Sequence, residues 1–180
     1  YNTLNAENPG ISGFGDLYQN INQMNLFISR TLHTDVLTES ARNYYLGQVY
    51  GLRAYYMYQL YRSWGDVVFT EEPSLGFEVG KLAKAATPAA EIFEQVKKDI
   101  ESSLSYFGSD YTIKEKKSLW SKAATLMLKA DVYLWSAHRD GGEGDARTAK
   151  NALVDIQNNI SRSNLDLMDT YQGVFAYDNK

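Results

Sequence analysis

The 180-residue chain carries 18 Lys and Arg against 22 Asp and Glu, a net charge of −4, and it has no Cys. That balance argues against a nucleic-acid binder, which needs a dense cationic face to displace phosphate counterions. The lack of Cys removes disulfides, thiolate nucleophiles and zinc–thiolate sites, and no run of ~18 apolar residues is available to span a membrane. With 44% hydrophobic residues the chain can build a real core within one domain. Its 14 Tyr and 3 Trp outnumber 7 Phe, so amphipathic rings dominate, suited both to helix seams and to flat ligand faces. The chain begins at Tyr1 rather than Met and is read as a trimmed or internal piece.

Residues 1–13 are rich in Asn, Gly and Ser and read as loop. Phe14, Leu17, Tyr18, Ile21, Met24 and Ile28 then recur at helical intervals. His33 to Arg42 reads as a connection, with Thr38 and Ser40 as polar helix starters. In the second helix Leu46, Val49, Tyr50, Met57, Leu60, Tyr61 and Trp64 share one face, while Leu52, Ala54, Tyr55 and Tyr56 fill much of the other. A helix apolar nearly all round belongs between neighbours. Gly65-Asp66 ends it, Val67 to Phe69 is short and extended, and Glu71 to Lys84 is an irregular connection. Thr87-Pro88 opens a third helix, with Pro in the first turn and a stripe of Ile92, Phe93, Val96, Ile100, Leu104 and Phe107. Glu94 and Lys98 stand at i and i+4 on its wet face. A fourth helix runs from about Trp120 to His138 with a stripe of Trp120, Ala123, Ala124, Met127, Leu128, Leu134 and Trp135. An acidic glycine turn, Asp140 to Asp145, leads to a fifth, capped by Asp145 and striped by Ala149, Ala152, Leu153, Ile156 and Ile160. The tail from Ser161 has no sustained period.

A loose repeat links these helices. Gly51-Leu52-Arg53-Ala54 matches Met127-Leu128-Lys129-Ala130 at an offset of 76, and Asp99-Ile100 matches Asp155-Ile156 at an offset of 56. The unit is a hydrophobic helix, a glycine turn and an amphipathic helix, used twice, with an insertion in the first copy. Units of ~34 residues of this kind are tetratricopeptide repeats, whose members must stack to bury their faces. The predicted class is therefore all-α, stacked helix-turn-helix hairpins with a long irregular insertion at about 66–87. The helical domain covers 14–160, between the loop 1–13 and an irregular tail at 161–180.

Few residues suggest chemistry. His33 and His138 are far apart and suit surface or helix-end roles. Glu71-Glu72 and the Asp140–Asp145 turn are acidic, yet neighbouring side chains diverge, whereas a glycosidase needs two carboxylates flanking one bond. The acidic turn also lacks the spacing of an EF-hand loop, so a solvated turn is preferred to a calcium site. No phosphate loop or nucleophile elbow occurs, and Asn159-Ile160-Ser161 is a glycosylation-type triplet of the kind chance supplies. Arg53 and Asp131 interrupt apolar stripes; each either finds a partner inside the stack, with each other as one candidate, or reaches water from the edge of its stripe. The ring-rich segment Tyr50, Tyr55, Tyr56, Tyr58, Tyr61 and Trp64 reads as helix seam rather than glycan platform. Tyr1, Tyr111, Tyr171 and Tyr177, on non-helical segments, are the better binding candidates.

Leu46-Gly47-Gln48-Val49-Tyr50-Gly51-Leu52-Arg53-Ala54-Tyr55-Tyr56, running on to Trp64-Gly65-Asp66-Val67-Val68, resembles the G-E-A-x-x-L-R-A-x-x-Y … G-D-V-P-L stretch of SusD/RagB-type nutrient-binding lipoproteins. Leu17-Tyr18 through Ile21 to Asn25 is similar to that family's L-Y-x-x-I-x-x-x-N helix, and Ile92-Phe93 through Asp99-Ile100 to its I-F-x-x-I-x-x-D-L helix. Lys122-Ala123-Ala124 through Val132-Tyr133-Leu134 and Tyr171 to Phe175 match later segments in order. Gln48 stands where Glu is usual and Val68 where Pro is usual. The family's chains are longer, so this one resembles its tetratricopeptide-bearing part.

The resemblance implies a non-enzymatic protein on the outer-membrane surface of Bacteroidetes-type bacteria, held by an N-terminal lipid not present in this chain. Such a protein captures oligosaccharides, or peptides in some members, without a cofactor or metal, and delivers them to a SusC-type TonB-dependent transporter. The helical repeats would support the fold and pack against that transporter. Ligand loops have no fixed motif in the family. On chemistry alone, Tyr1, Asn2, Asn5 and Asn8 offer a flat ring plus amides for sugar hydroxyls, although an ordinary Asn-rich loop accounts for them more simply. The rival reading is a tetratricopeptide adaptor that holds a protein or peptide in its groove.

Overall fold

A computed structural model describes residues 13–76, 83–163, 165 and 168–175. Five long helices dominate: α1 (Gly15–Leu32), α2 (Glu39–Trp64), α3 (Ala89–Phe107), α4 (Lys122–Ser136) and α5 (Gly142–Asn158). A 3₁₀ turn, Glu115–Lys117, precedes α4, and a π-helical turn, Ala137–Gly141, joins α4 directly to α5. Two short helices follow, α6 (Ile160–Ser163) and α7 (Tyr171–Val174). The described residues contain no strand, only an isolated antiparallel bridge between Val67 and Thr87. The chain is thus all-α and stacked as hairpins: α2 packs between α1 and α3, and α4 pairs with α5 while resting on α3 and α2.

Local chemistry sets the helix ends. The Thr38 hydroxyl accepts from Ala41 N–H at 3.3 Å and caps α2, so the connection after α1 is shorter than predicted. Gly65, at φ +75°, stops α2 and sends its N–H to Tyr61 O. Pro88 sits at the N-cap of α3, one position before the expected first turn, and brings no side-chain cap. The Asp66 carboxylate supplies one instead, accepting from Ala89 N–H at 2.8 Å. Ser121 caps α4 through Ala124 N–H, which leaves Trp120 outside the helix. Asp145 does not cap α5. The N-cap is Gly141, because the π turn runs straight into α5 and Asp145 falls inside its first turn.

The main core gathers Ala54, Met57, Tyr58 and Leu60 of α2, Ile92, Val96 and Ile100 of α3, and Leu128 and Val132 of α4. A fully buried aliphatic side chain of this kind contributes ~1.5–3 kcal/mol. The α3 stripe matches the periodicity, with Leu104 only half-buried. The α4 stripe does not. Leu128 and Val132 face the main core, while Leu126 and Ala130 face a second cluster with Ala149 and Ala152 of α5. Buried on two sides, α4 leaves Met127, Asp131 and Leu134 on its outer face, and Met127 and Leu134 are more than half exposed. The predicted Glu94–Lys98 pair is also absent: Glu94 takes Lys97 at 3.0 Å and Lys98 takes Glu71 at 3.3 Å.

Candidate functional site

A buried polar network stands where α1, α2 and α3 meet. Arg53 donates from Nε and Nη2 to the two carboxylate oxygens of Asp99, each at 2.7 Å, and from Nη1 to Asn25 Oδ1 at 2.8 Å. All three residues are at most 2% exposed. Gln95 Nε2 adds a 2.9 Å bond to Asp99, and Glu71 approaches Arg53 Nη2 at 3.5 Å from the rim. The rings of Tyr50 and Phe69 flank the guanidinium at 5.2 and 5.9 Å. Burial pushes the Asp99 carboxyl above its usual range, opposed by the bonds from Arg53 and Gln95. At Arg53 burial pulls the other way but is outweighed by Asp99, so the guanidinium is held more firmly protonated. The bidentate geometry is that of an ion pair.

This network answers the question posed by Arg53, with a correction. Its partner is Asp99, not Asp131. Asp131 is solvated and meets Arg62 at 3.5 Å on the outer face of α4. The repeat does not copy the pairing either, since Lys129 takes Glu101 at 2.6 Å and Asp155 accepts from the Tyr111 hydroxyl at 2.5 Å.

Above the network, segment 67–76 is strapped across α1 and α3. Tyr18 donates to Val68 O at 2.9 Å and Asn25 Nδ2 to Thr70 O at 2.6 Å. The Asn22 amide clasps Ser74 on both sides, donating to its O at 3.2 Å and accepting from its N–H at 2.7 Å. Between α1 and the strap lies a cleft of about 580 Å³, within the range of ligand pockets. Ile21, Phe69 and Leu75 give it apolar wall, and Asn22, Glu72 and Lys84 give it polar edge. Glu72 is the one carboxylate among the described lining residues, while Glu71 turns back to Arg53, so the adjacent acids do diverge. Its described residues offer hydrogen bonds and apolar contact, and among them there is no facing carboxylate pair of the kind glycoside hydrolysis uses.

The nominated ligand residues Tyr1, Asn2, Asn5 and Asn8, and also Tyr177, lie outside the described residues. Tyr111 is not a free loop ring. It is buried, hydrogen-bonded to Asp155 and covered by Lys122 and Arg162 at 3.9 and 4.9 Å. Tyr171 is the first residue of α7 rather than a loop ring, and it is 78% exposed against Phe175 just past the helix end. In α2, Tyr58 is buried and Tyr50, Tyr56, Tyr61 and Trp64 are half-buried as seam residues, whereas Tyr55 is exposed. His33 bonds Ser29 O through Nδ1 at the end of α1, and His138 sits in the π turn. Among the described residues no group of three or more His, Cys, Asp or Glu is placed to hold a metal ion. The cleft residues Asn22, Ser74 and Lys84 were missed. Only Asn25 had a signal, as the polar end of the first helix motif.

A protein-family profile, SusD-like and described as starch-binding and associating with the outer membrane, matches residues 3–134. A curated SusD-like protein of Formosa agariphila is 34% identical over 113 residues, covering 61% of this chain and 20% of its own. Among solved structures, NanU of Bacteroides fragilis superposes with a TM-score of 0.87 at 48% identity, over 100% of this chain and 35% of its own. A SusD superfamily protein of Bacteroides vulgatus gives 0.86 at 44% identity, over 100% and 36%. The chain therefore spans about a fifth of the curated relative and about a third of each solved one. With the family profile covering well over half of its residues, the chain belongs to the SusD-like family, whose members are glycan-binding and outer-membrane-associated.

Proposed function

We propose that this chain is the helical-repeat part of a cell-surface protein that binds oligosaccharides without cleaving them and passes them to a SusC-type TonB-dependent transporter. The observation that carries the reading is the match of residues 3–134 to a family described as starch-binding and outer-membrane-associated. The cleft beside α1 agrees with it, since its described residues present amide, carboxylate and apolar surface and among them no facing acid pair. The polar residues of the motifs serve the scaffold: Asn25, Arg53 and Asp99 fix the three helices, and Asp66 caps the third of them, α3. Ligand contact then falls to the loops, and Tyr1, Asn2, Asn5 and Asn8 are the nominated residues. A lipid at the N-terminus of the whole protein would hold it at the outer membrane.

A docking role for the repeats has its own support. Tyr55 of α2 and Met127 and Leu134 of α4 are large apolar side chains left exposed, of the kind that packs against another protein surface such as the transporter. A glycan array probed with the full-length protein tests the reading. Binding to one family of oligosaccharides, weakened by joint Tyr1→Ala and Asn2→Ala substitution, is the expected result. Binding to peptides and to no saccharide would favour the adaptor reading instead.

A further inference from the structure

The connection from α3 to α4 carries positive charge that the molecule does not neutralise. Residues 108–122 hold four Lys against one Asp and one Glu, in a chain whose net charge is −4. The partners of Lys114, Lys122 and Arg162 are neutral. Lys114 lies over the Tyr44 ring at 3.5 Å. Lys122 donates to Gly108 O at 2.5 Å and covers the Tyr111 ring. Arg162 of α6 donates to Ser109 O at 2.7 Å and to Asn159 Oδ1 at 3.0 Å. None of the three forms an ion pair with a described carboxylate. By contrast Arg53, Arg62, Lys97, Lys98 and Lys129, further along the helices, each take a carboxylate. The acids near the connection are used locally: Asp110 accepts from the Thr112 N–H at 2.9 Å and its hydroxyl at 2.7 Å, and Asp155 accepts from Tyr111. Within the connection Glu115 alone keeps a carboxylate open among the described residues.

The connection also stays in water. Lys114, Glu115, Lys117 and Leu119 are all exposed. Glu115 and Lys117, at φ +49° and +73°, take left-handed backbone that residues other than Gly rarely adopt and that recurs at functional sites. Leu119, 39% exposed, places an apolar side chain beside the lysines. The acidic segments stand at the far end of the bundle. α2 and α3 run antiparallel, with Gly47 against Phe107 and Tyr61 against Phe93. α4 returns along α3, with Thr125 at Ser103 and Tyr133 at Lys97. Glu71-Glu72, beyond the end of α2, and Asp140 to Asp145, beyond the end of α4, are therefore remote from the connection. Such a lopsided charge orients a molecule at an anionic surface, drawing the basic end in and pushing the acidic end away. Lys114 does not line the cleft beside α1, and Lys122 and Arg162 already spend donors on carbonyls, so an extended anionic surface fits better than a discrete anion. Exposed lysines beside an apolar side chain suit lipid headgroups, where ammonium meets phosphate and the apolar group enters the boundary. The outer-membrane association of the family favours lipid over a soluble acidic partner.

We infer that the α3–α4 connection is an electrostatic contact surface for phosphate-bearing lipid headgroups. The inference goes beyond glycan capture and rests only on the outer-membrane part of the proposed function. The test sediments the full-length protein, in unlipidated form, with mixed phosphatidylglycerol–phosphatidylcholine vesicles and with phosphatidylcholine vesicles alone. The expected result is binding to the anionic vesicles only, weakening with salt, with hydrogen exchange slowed in residues 108–122. Lys114→Gln/Lys117→Gln should weaken binding about fivefold per Lys, and Glu115→Lys should strengthen it by a similar factor, with melting temperature and glycan binding unchanged. The charge-gain variant reads in the opposite direction, so a folding defect cannot imitate its result. No binding to anionic vesicles, equal binding to both kinds, or binding indifferent to these variants overturns the inference. Displacement by dilute inorganic phosphate at constant ionic strength marks a discrete anion site, and protection of 108–122 by the transporter but by no vesicle marks a protein partner; either overturns the lipid assignment. Glycan binding measured on the same preparation separates the two readings: if it persists while vesicle binding fails, the surface falls and the proposed function stands.

Discussion

Replacing Arg53 by Met keeps roughly the side-chain volume and removes the charge with its three hydrogen bonds to Asp99 and Asn25. Asp99, only 1% exposed, is then left with Gln95 as its sole hydrogen-bond donor among the described residues. Removing one partner of a buried ion pair costs ~3–5 kcal/mol, a large share of the ~5–15 kcal/mol that holds a domain together. Arg53→Met/Asp99→Leu removes both charges and takes one hydrogen bond from each of the amides of Asn25 and Gln95, which keep Thr70 O and Glu71 as partners, so its loss should be smaller, ~1–3 kcal/mol. The pH dependence has a definite sign. Burial already raises the folded carboxyl of Asp99, and without Arg53 that push is opposed by Gln95 alone, with the nearby Glu71 adding to it. The variant's penalty is complete above the folded pKa and is relieved as pH falls, because the folded state then takes up a proton that the unfolded state binds only near ~3.9. Urea denaturation followed by circular dichroism at about pH 7 and about pH 5 measures this. The single variant should lose most at neutral pH, regain part of the loss in acid, and be outdone by the double variant. A loss under ~1 kcal/mol for Arg53→Met, or a double variant at least as unstable as the single, would show that Asp99 does not depend on Arg53 for its place in the core.

Gly51→Ala and Gly144→Ala should have opposite signs. A Cβ at Gly51 would stand 2.1 Å from Trp120 Nε1 and 2.9 Å from Thr125 Oγ1, costing ~1–3 kcal/mol, whereas Gly144 in α5 has open space and should gain up to ~1 kcal/mol, both readable from urea midpoints. Tyr58, raised by burial and then by Asp131, and Tyr111, raised by burial and then by its bond to Asp155, are each pushed up to about 12. Their folded state holds the proton that the unfolded chain releases at about 10, so their contribution is complete below about pH 10 and is lost as pH rises through about 12. A phenolate absorbance titration should find these rings among the last to ionise, and their ionisation near pH 10 in folded protein would contradict it. Asn22→Ala removes both bonds to Ser74. Hydrogen exchange should quicken in segment 67–76 with a stability loss of ~0.5–2 kcal/mol, and unchanged exchange there would show that the strap does not depend on this clasp.

Much of the helical order was legible because α1 and α3 are amphipathic and their periods survive in the core, as Ile21, Ile92, Val96 and Ile100 illustrate. Where a helix is wrapped by neighbours, periodicity loses its meaning. Met127 and Leu134 read as stripe residues, but α4 buries two flanks and leaves the strip between them in water. The need for a partner at Arg53 was legible from the cost of a buried charge, while the identity of that partner was not, because Asp99 lies 46 residues away on another helix. One clue was available: Asp99 sits in the inner row of α3 with Val96, Ile100 and Ser103. Tyr111 had no local signal, since its burial depends on Asp155 and Arg162. The cleft beside α1 was hidden for the same reason, its walls being a helix and a strap whose joint is made by backbone carbonyls.

The central claim is capture of a glycan without bond breaking. Its most direct test is mass spectrometry of an oligosaccharide recovered after saturation binding to the full-length protein. The account predicts measurable binding and recovery of the oligosaccharide at its original chain length after prolonged incubation. Shortened products, abolished by substituting Glu72 or Asp145, would contradict it.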